Sequence, residues 1–355
     1  MCILAVYVLL GLATFLGFYI APVQKNNPSA ESFISIIIPF RNEEKNLPRL
    51  IESLKKLAYP AHLYEIIFVD DHSIDQGAKL IQQSGLQNYA CITSTAEGKK
   101  SAIALGVTHA CGSLIVATDA DCIVPPGWLE QISQVGENAL VLGPVQLSPV
   151  KNFLHVFQDM EWAALQSISA AGVYWKMPLM SNGANMAYPK KKFSETALKN
   201  QTPSGDDIFL LEDFKRRKLP IVFIWKTASI VQTPPAPSMR ALVQQRVRWA
   251  SKSRYYTNYL NTALGILIAC TNLVVLAHLV NIGCMSSTAY FSMMIITTKM
   301  IADILLMLPY LILVKRSWLV FIIPVFLVLY PFYFIYILAL SLRGKFTWKE
   351  RHYKA

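Results

Sequence analysis

The chain has 355 residues, 54% of them hydrophobic and only 15% charged, with a formal net charge of +11. A soluble domain carries about 25% charged residues, so part of this chain belongs in lipid, and its length leaves room for one sizeable soluble domain besides. The basic residues cluster beside apolar segments, which points to the cytoplasmic face of a membrane and not to nucleic acid; the six cysteines form no CxxC pair and no zinc-ligand spacing.

The first element is "CILAVYVLLGLATFLGFYIAP", long enough to span a bilayer, with no Lys or Arg before it and Lys25 after it. It lacks the basic start of a cleaved leader and reads as a retained anchor over 1–24, with the terminus outside and the following residues in the cytosol.

The segment "FISIIIPF" (33–40) reads as a buried strand, and "EEKNLPRLIESLKKL" after it has helical spacing at Leu47, Leu50, Ile51, Leu54 and Leu57. A second strand, "EIIFVDD", leads into a helix ending at Gly85; "SAIALGVTHAC" is a further helix before the strand "LIVATDAD". Strands alternating with helices imply an α/β domain with a mostly parallel sheet, in which ligands bind at the carboxyl ends of the strands. Two of these strands end in acid pairs, Asp70-Asp71 and Asp119/Asp121. Taken singly, such aspartates cap helices and shape turns. Taken together, like charges at two strand ends call for a cation, and a divalent metal is the economical one. Alternation along an extended segment would put Asp119 and Asp121 on one side, with Ala120 pointing away. The first strand is followed by "PFRNEEKN", with no GxGxxG or GKS/T, which excludes a P-loop or dinucleotide fold.

Farther on, "SNGANMAYPKKKF" has the small residues of a tight loop. "GDDIFLLEDFKRR" opens a helix with two aspartates that could simply serve its N-terminus. "FQDMEWAALQS" places Asp159, Glu161 and Trp162 on a long helix. In "SMRALVQQRVRWASKSRYY", Met239, Leu242, Val243, Val247 and Ala250 share a face, so residues 238–257 read as an amphipathic interface helix with Arg246, Lys252 and Arg254 on the lipid surface. Long apolar segments start near 259 and 318, giving a transmembrane region over 258–342. Between them lies a stretch holding Lys299 and Asp303, spaced to pair on one helical face. Keeping the basic tail 343–355 in the cytosol favours a middle segment that does not simply cross once.

The ordered set "IIIPFRNEEKNL", "FVDDHSID", "EGKKSAIALG", "TDADCIVPPGWL", "SNGANMAYPKKKF", "GDDIFLLEDFKRR" and "QQRVRWASK" resembles membrane-bound family 2 glycosyltransferases over roughly residues 33–255. That group includes cellulose, chitin, hyaluronan and poly-N-acetylglucosamine synthases, and single-transfer enzymes acting on lipids. The resemblance implies a GT-A-like nucleotide-sugar-binding domain over 25–237, flanked by transmembrane helices. It implies that Asp71 holds the donor's uracil or ribose, with Asp70, Pro39 and Glu43 in the nucleotide pocket and Lys99 in the donor site. By the same resemblance, Asp119 and Asp121 are the DxD pair binding Mg²⁺ or Mn²⁺. Asp207 is the general base, with Asp206 beside it where the family often has Glu. Gln245, Arg248 and Trp249 form QxxRW, near the diphosphate and the acceptor, and Gly183, Asn185 and Met186 line the acceptor side.

The expected activity is inverting transfer from a nucleotide sugar, a UDP-sugar by the resemblance, to a lipid, lipid-linked or glycan acceptor. The expected place is the inner (plasma) membrane, multi-pass, with the catalytic domain cytosolic. A processive polysaccharide synthase is the alternative within the class, though three or fewer spans make at best a narrow pore. A transporter would not need an insert of about 230 residues with acid pairs at strand ends, and a sugar-phosphate nucleotidyltransferase would need a glycine-rich basic signature that "IIIPFRNEE" is not.

Overall fold

A computed structural model describes residues 2–20, 32–193, 205–251, 259–283 and 288–341, with backbone alone at 345–348 and 351–354. The chain forms two compact units, one of residues 22–149 and 180–234, the other of residues 1–21, 150–179 and 235–355. Residues 150–179 group with the apolar helices.

After helix α1 (Cys2–Ile20), the sheet-bearing unit runs β1 (Ile34–Phe40), α2 (Leu47–Leu54), β2 (Tyr64–Asp70), α3 (Gly77–Gln82), β3 (Tyr89–Thr93), α4 (Lys99–His109), β4 (Leu114–Ala117), α5 (Trp128–Ser133), β5 (Leu140–Leu142) and β6 (Val145–Leu147). Helix α6 (Phe153–Tyr174) leaves it, and β7 (Met186–Pro189), α7 (Asp206–Arg216), β8 (Ile221–Phe223) and β9 (Val231–Thr233) complete it. Seven strands pair in the order β3-β2-β1-β4-β7-β5-β8. Strands β3, β2, β1 and β4 are parallel, and β7 runs antiparallel to both neighbours. This is the expected mostly parallel α/β sheet. Strand β1 is buried along its whole length, as its run of Ile with no polar alternation requires.

The order reverses at β1: β2 lies on one side and β4 on the other, so a crevice opens between them at their carboxyl ends. Pairing of β1 with β4 stops at Ile37, before Pro39, whereas pairing with β2 continues to Phe40. Pro39 therefore costs the β1–β4 ladder no hydrogen bond, and the two chains part where a proline can sit.

Two strands departed from expectation. β3 lies at the sheet edge with half-exposed residues, so its pattern lacks a continuous apolar run. "ANMAYP", read as loop, holds the buried strand β7, whose Met186 pairs with Ala117 and Leu142. Met186 is thus a buried residue of the sheet. Asn185 before it is buried and fully engaged. Its Oδ1 accepts from Trp128 Nε1 at 2.9 Å, and its Nδ2 donates to the carbonyls of Pro144 and Ser229 at 2.9 and 2.8 Å. These bonds latch β7 to α5 and to the segments beside β6 and β9, so Asn185 is tied into the core.

The second unit contains α1, α6, α8 (Met239–Ser251), α9 (Tyr259–Gly283), α10 (Ala289–Leu313), α11 (Ile323–Ser341) preceded by a 3-10 turn from Ser317, and the hairpin β10 (Lys345–Trp348) and β11 (Arg351–Lys354). Among the described residues, three helical stretches are long and apolar enough to cross a membrane: Tyr259–Ile282, Ala289–Leu313 and Ser317–Ser341. The middle one, where charge counting favoured something other than a single crossing, is one continuous helix of 25 residues. Its two charges meet each other, Lys299 Nζ lying 2.6 Å from Asp303 Oδ2, and Tyr7 of α1 donates to Asp303 Oδ1 at 2.8 Å. Both are almost fully buried. Trp162 is also buried, against Trp249, and is no exposed sugar platform.

Two stability outcomes follow from these contacts. Asn185→Ala leaves the fully buried indole N–H of Trp128 and two carbonyls without partners, and should destabilise the protein by about 3 kcal/mol or more; an unchanged thermal midpoint in detergent would contradict the latch. Lys299→Met strands the Asp303 charge, expected to cost about 3–5 kcal/mol. Adding Asp303→Asn, which still accepts from Tyr7, should restore most of the lost midpoint.

Candidate active site

The acids of β2 divide. Asp70 Oδ1 accepts from Ser73 N at 2.9 Å, and Asp75 Oδ1 and Oδ2 accept from Gly77 N and Glu44 N at 3.0 and 2.8 Å. These are turn-shaping bonds. Glu43 likewise starts a helix: its carbonyl accepts from Asn46 N and Leu47 N, and its Oε2 from Asn46 Nδ2 at 2.7 Å. Asp71 differs. It is 4% exposed, and its Oδ1 accepts from Gly98 N at 2.7 Å. The Asp71 carbonyl takes Arg41 Nη1 at 2.9 Å. A carboxylate is thus held at the entry to α4, where the helix dipole favours negative charge.

Lys99 opens α4 and joins the remaining acids. Its Nζ lies 2.7 Å from Asp119 Oδ1 and 3.3 Å from Asp206 Oδ2. Burial opposes its charge, but Asp119, Asp206 and Asp207 outweigh that and hold the ammonium well above the usual lysine range. Sequence reading assigned Lys99 to the donor; it gave no sign that one lysine ties both acidic motifs together.

Asp119 and Asp121 do not continue the strand. β4 ends at Ala117, and the chain turns, Cys122 N donating to Asp119 O at 3.1 Å. The two acids therefore share a turn, and the alternation argument for their common side does not apply. Thr118 Oγ1 fastens this turn to Ala184 O at 2.8 Å. Both carboxylates are half-exposed, unlike buried Ala120. Carboxylate oxygens suit a hard divalent cation. Among the described residues no three or more His, Cys, Asp or Glu side chains gather to hold an ion. Asp119 and Asp121 are the residues of this turn that could hold such a cation.

The third acidic motif starts α7. Gly205 takes a left-handed backbone, φ +100°, which admits glycine readily and swings the chain into the helix. Asp206 is buried against Lys99. Asp207 is half-exposed; its Oδ2 accepts from Gly183 N at 3.3 Å and its Oδ1 from Ile208 N at 2.8 Å. A Cβ on Gly183 would stand 3.1 Å from Asp206 Oδ2 and 3.5 Å from Lys99 Nζ, so glycine there keeps space beside the acids open. Gly183 is the part of the "NGANM" segment that reaches this cluster.

Of the sequence-derived candidates, Lys99, Asp119, Gly183, Asp206 and Asp207 are brought together by direct contacts, Asp71 is held at the same helix entry through Gly98 N, and Asp121 shares the Asp119 turn. Gln245, Arg248 and Trp249 lie on α8 in the other unit. There Trp249 packs on Trp162, ring centroids 5.9 Å apart, and under the guanidinium of Arg246, 4.2 Å away. Arg246, which the amphipathic pattern assigned to the lipid surface, is buried; Lys252 and Arg254 lie outside the described residues.

Residues 114–342 match the profile described as glycosyl transferase family group 2, and residues 35–179 that of glycosyl transferase family 2. Among curated relatives, the undecaprenyl-phosphate 4-deoxy-4-formamido-L-arabinose transferase of Serratia proteamaculans is 34% identical over 32% of this chain and 36% of its own. The same-named protein of Pseudomonas fluorescens is 35% identical over 34% and 35%. The chain thus spans about a third of the length of the curated relatives it matches. A solved mannosyltransferase from Pyrobaculum calidifontis, in complex with GDP-Man and Mn²⁺, aligns with 96% of this chain and 98% of its own at a TM-score of 0.56 and 16% identity, a likeness of fold. The matched residues 114–342 take in the DxD turn, Asp206-Asp207, QxxRW and all three spans: the chain belongs to glycosyl transferase family group 2.

Proposed function

We propose that the chain is a membrane-bound inverting transferase that moves a sugar from a nucleoside-diphosphate donor, a UDP-sugar in the first instance, to a lipid acceptor. The observation that carries this is the Lys99 bridge between Asp119 and Asp206, with the half-exposed Asp207 beside it. The bridge joins the strand end where a donor diphosphate would lie to the helix start where a base is needed.

In this reading Asp71 takes the nucleoside and Asp207 faces the acceptor. The acceptor oxygen bonds to the anomeric carbon as the bond from that carbon to the β-phosphate oxygen breaks. The electron pair leaves with the nucleoside diphosphate, and the acceptor proton passes to Asp207. Asp206 stays with Lys99 and keeps the start of α7 in place. Asp119 and Asp121 would hold Mg²⁺ or Mn²⁺, which supplies Lewis-acid neutralisation of the departing diphosphate. Gln245, Arg248 and Trp249 contribute contacts to diphosphate and acceptor, as the motif resemblance implies; an Arg there adds charge-assisted hydrogen bonds. The relatives named undecaprenyl-phosphate transferases support a lipid-phosphate acceptor. The three apolar spans and the basic segments beside them favour a multi-pass protein of the inner membrane, its domain of residues 25–237 in the cytosol.

The test uses membranes carrying the wild type, labelled UDP- and GDP-sugars, undecaprenyl phosphate, and Mn²⁺ or Mg²⁺. Label in the organic phase is expected from at least one donor; label in high-mass polymer would make the chain a processive synthase instead. Asp207→Asn should slow transfer by about 10²–10⁴-fold, the usual worth of a positioned base. Retained transfer in that variant would remove the base assignment and point to a nucleophile already ionised, as a phosphate monoester largely is near neutrality. For Lys99 the raised value means its contribution to stability is complete below about pH 10.4, the unfolded lysine value, and is lost only as pH rises toward the higher folded one. Melting temperature should therefore show no Lys99-dependent decline between about pH 6 and 9. A wild-type decline in that range that Lys99→Met removes would contradict the raised value.

A further inference from the structure

Arg246 occupies a position that the QxxRW pattern leaves free, yet it is only 6% exposed. Its Nε donates to Oε2 of Glu161 on α6 at 2.7 Å, and Glu161 is itself 8% exposed. Its Nη1 donates to Gln245 Oε1 at 2.5 Å. Its guanidinium carbon stands 4.2 Å from the centre of the Trp249 ring, which packs in turn on Trp162. One planar group thus touches two of the three motif side chains and is anchored by an acid from another helix.

The chemistry selects arginine for this. A guanidinium can present separate N–H groups to Glu161 and Gln245 while its face lies on an indole; a lysine ammonium is a point donor without a face. Stability alone gives little reason for the arrangement, because apolar residues of similar volume often replace a buried ion pair without loss. What the pair does supply is orientation. Gln245 has rotamer freedom that a fixed hydrogen bond removes, and the Trp249 ring is confined between Arg246 and Trp162.

We propose that Arg246, held by Glu161, is a positioning residue that fixes Gln245 and Trp249 for the transfer step. The proposal rests on the reading of QxxRW as substrate-contacting. It requires no contact of Arg246 or Glu161 with substrate, so its signature is a fall in kcat at nearly constant KM for the donor.

The test measures kcat, donor KM and thermal midpoint for the purified protein in detergent. It uses undecaprenyl phosphate and the nucleotide sugar that labels it in the panel above. Variants are Glu161→Gln, Arg246→Lys, the apolar pair Glu161→Leu with Arg246→Met, and Trp249→Ala. Expected are kcat losses of roughly 10–100-fold in Glu161→Gln and Arg246→Lys, the size a displaced contact near the chemistry produces, with donor KM within about twofold of wild type. The apolar double variant should melt at or near the wild-type midpoint and still be slow. Wild-type kcat in a folded Glu161→Gln or apolar double variant would overturn the proposal. So would activity losses that merely track falling midpoints. Full activity in Trp249→Ala would reject the motif reading and this proposal with it. A slow Trp249→Ala beside a normal Glu161→Gln would reject this proposal alone. No turnover by the wild type with any donor would count against the transferase reading and overturn both.

Discussion

The candidate site depends on one ammonium group among three carboxylates. Two like charges about 4 Å apart repel by roughly 4 kcal/mol at an effective dielectric of 20, so Asp119, Asp206 and Asp207 could not gather beside one another without a cation. Lys99 provides it, 2.7 and 3.3 Å from the first two. The position is otherwise a poor one for a lysine, because the first turn of a helix carries positive dipole charge. The acids reverse that preference, and Asp71 adds a fourth carboxylate at the same helix entry through Gly98 N. The loop before α4 thus links the strand end at β2 to those at β4 and α7.

How much of this was legible follows from which constraints are local. Strands β1, β2 and β4 could be read because strands buried on both faces need unbroken apolar runs, and acids at their ends stood out against those runs. The reversal of strand order at β1 could not be read, because alternation of strands and helices gives parallel pairing but not the order of the strands. β3 could not, because an edge strand with half-exposed side chains carries no such run. β7 could not either, since "GANMAYP" has the small residues and proline of a loop and becomes a strand only by pairing between β4 and β5. Asn185 resembled an acceptor ligand by its motif; its partners, Trp128, Pro144 and Ser229, lie 41 to 57 positions away. The turn at Asp119–Asp121 was hidden by the apolar run ahead of it, which suggested that extended backbone continued.

Buried charge in the helical unit tells the same story. Asp159, Glu161, Lys299 and Asp303 are all buried, and each has a partner: Arg316 at 2.7 Å, Arg246 at 2.7 Å, and the Lys299–Asp303 pair itself. Only the last pair, four residues apart on one helix, could be foreseen. Without Arg316 and Arg246, the acids of α6 would read as a solvated face, and without Glu161, Arg246 would read as a lipid-surface cation. In apolar surroundings a charge left alone costs several kcal/mol, so each of these residues constrains where a second element can pack. For Asp159, burial outweighs even its arginine and pushes its carboxyl above the ordinary aspartate value.

The adjacent acids Asp206 and Asp207 show how one helix start can supply two roles. Successive residues at a helix N-terminus project about 100° apart, so their carboxylates take different hydrogen-bond partners. Asp206 turns inward to Lys99 and is buried; Asp207 turns toward Gly183, whose missing side chain leaves the space beside it open. The inward acid cannot leave Lys99 without uncovering the ammonium and its own buried carboxylate. Among the described residues, the outward acid is held by two backbone N–H groups and by no cation at hydrogen-bond distance.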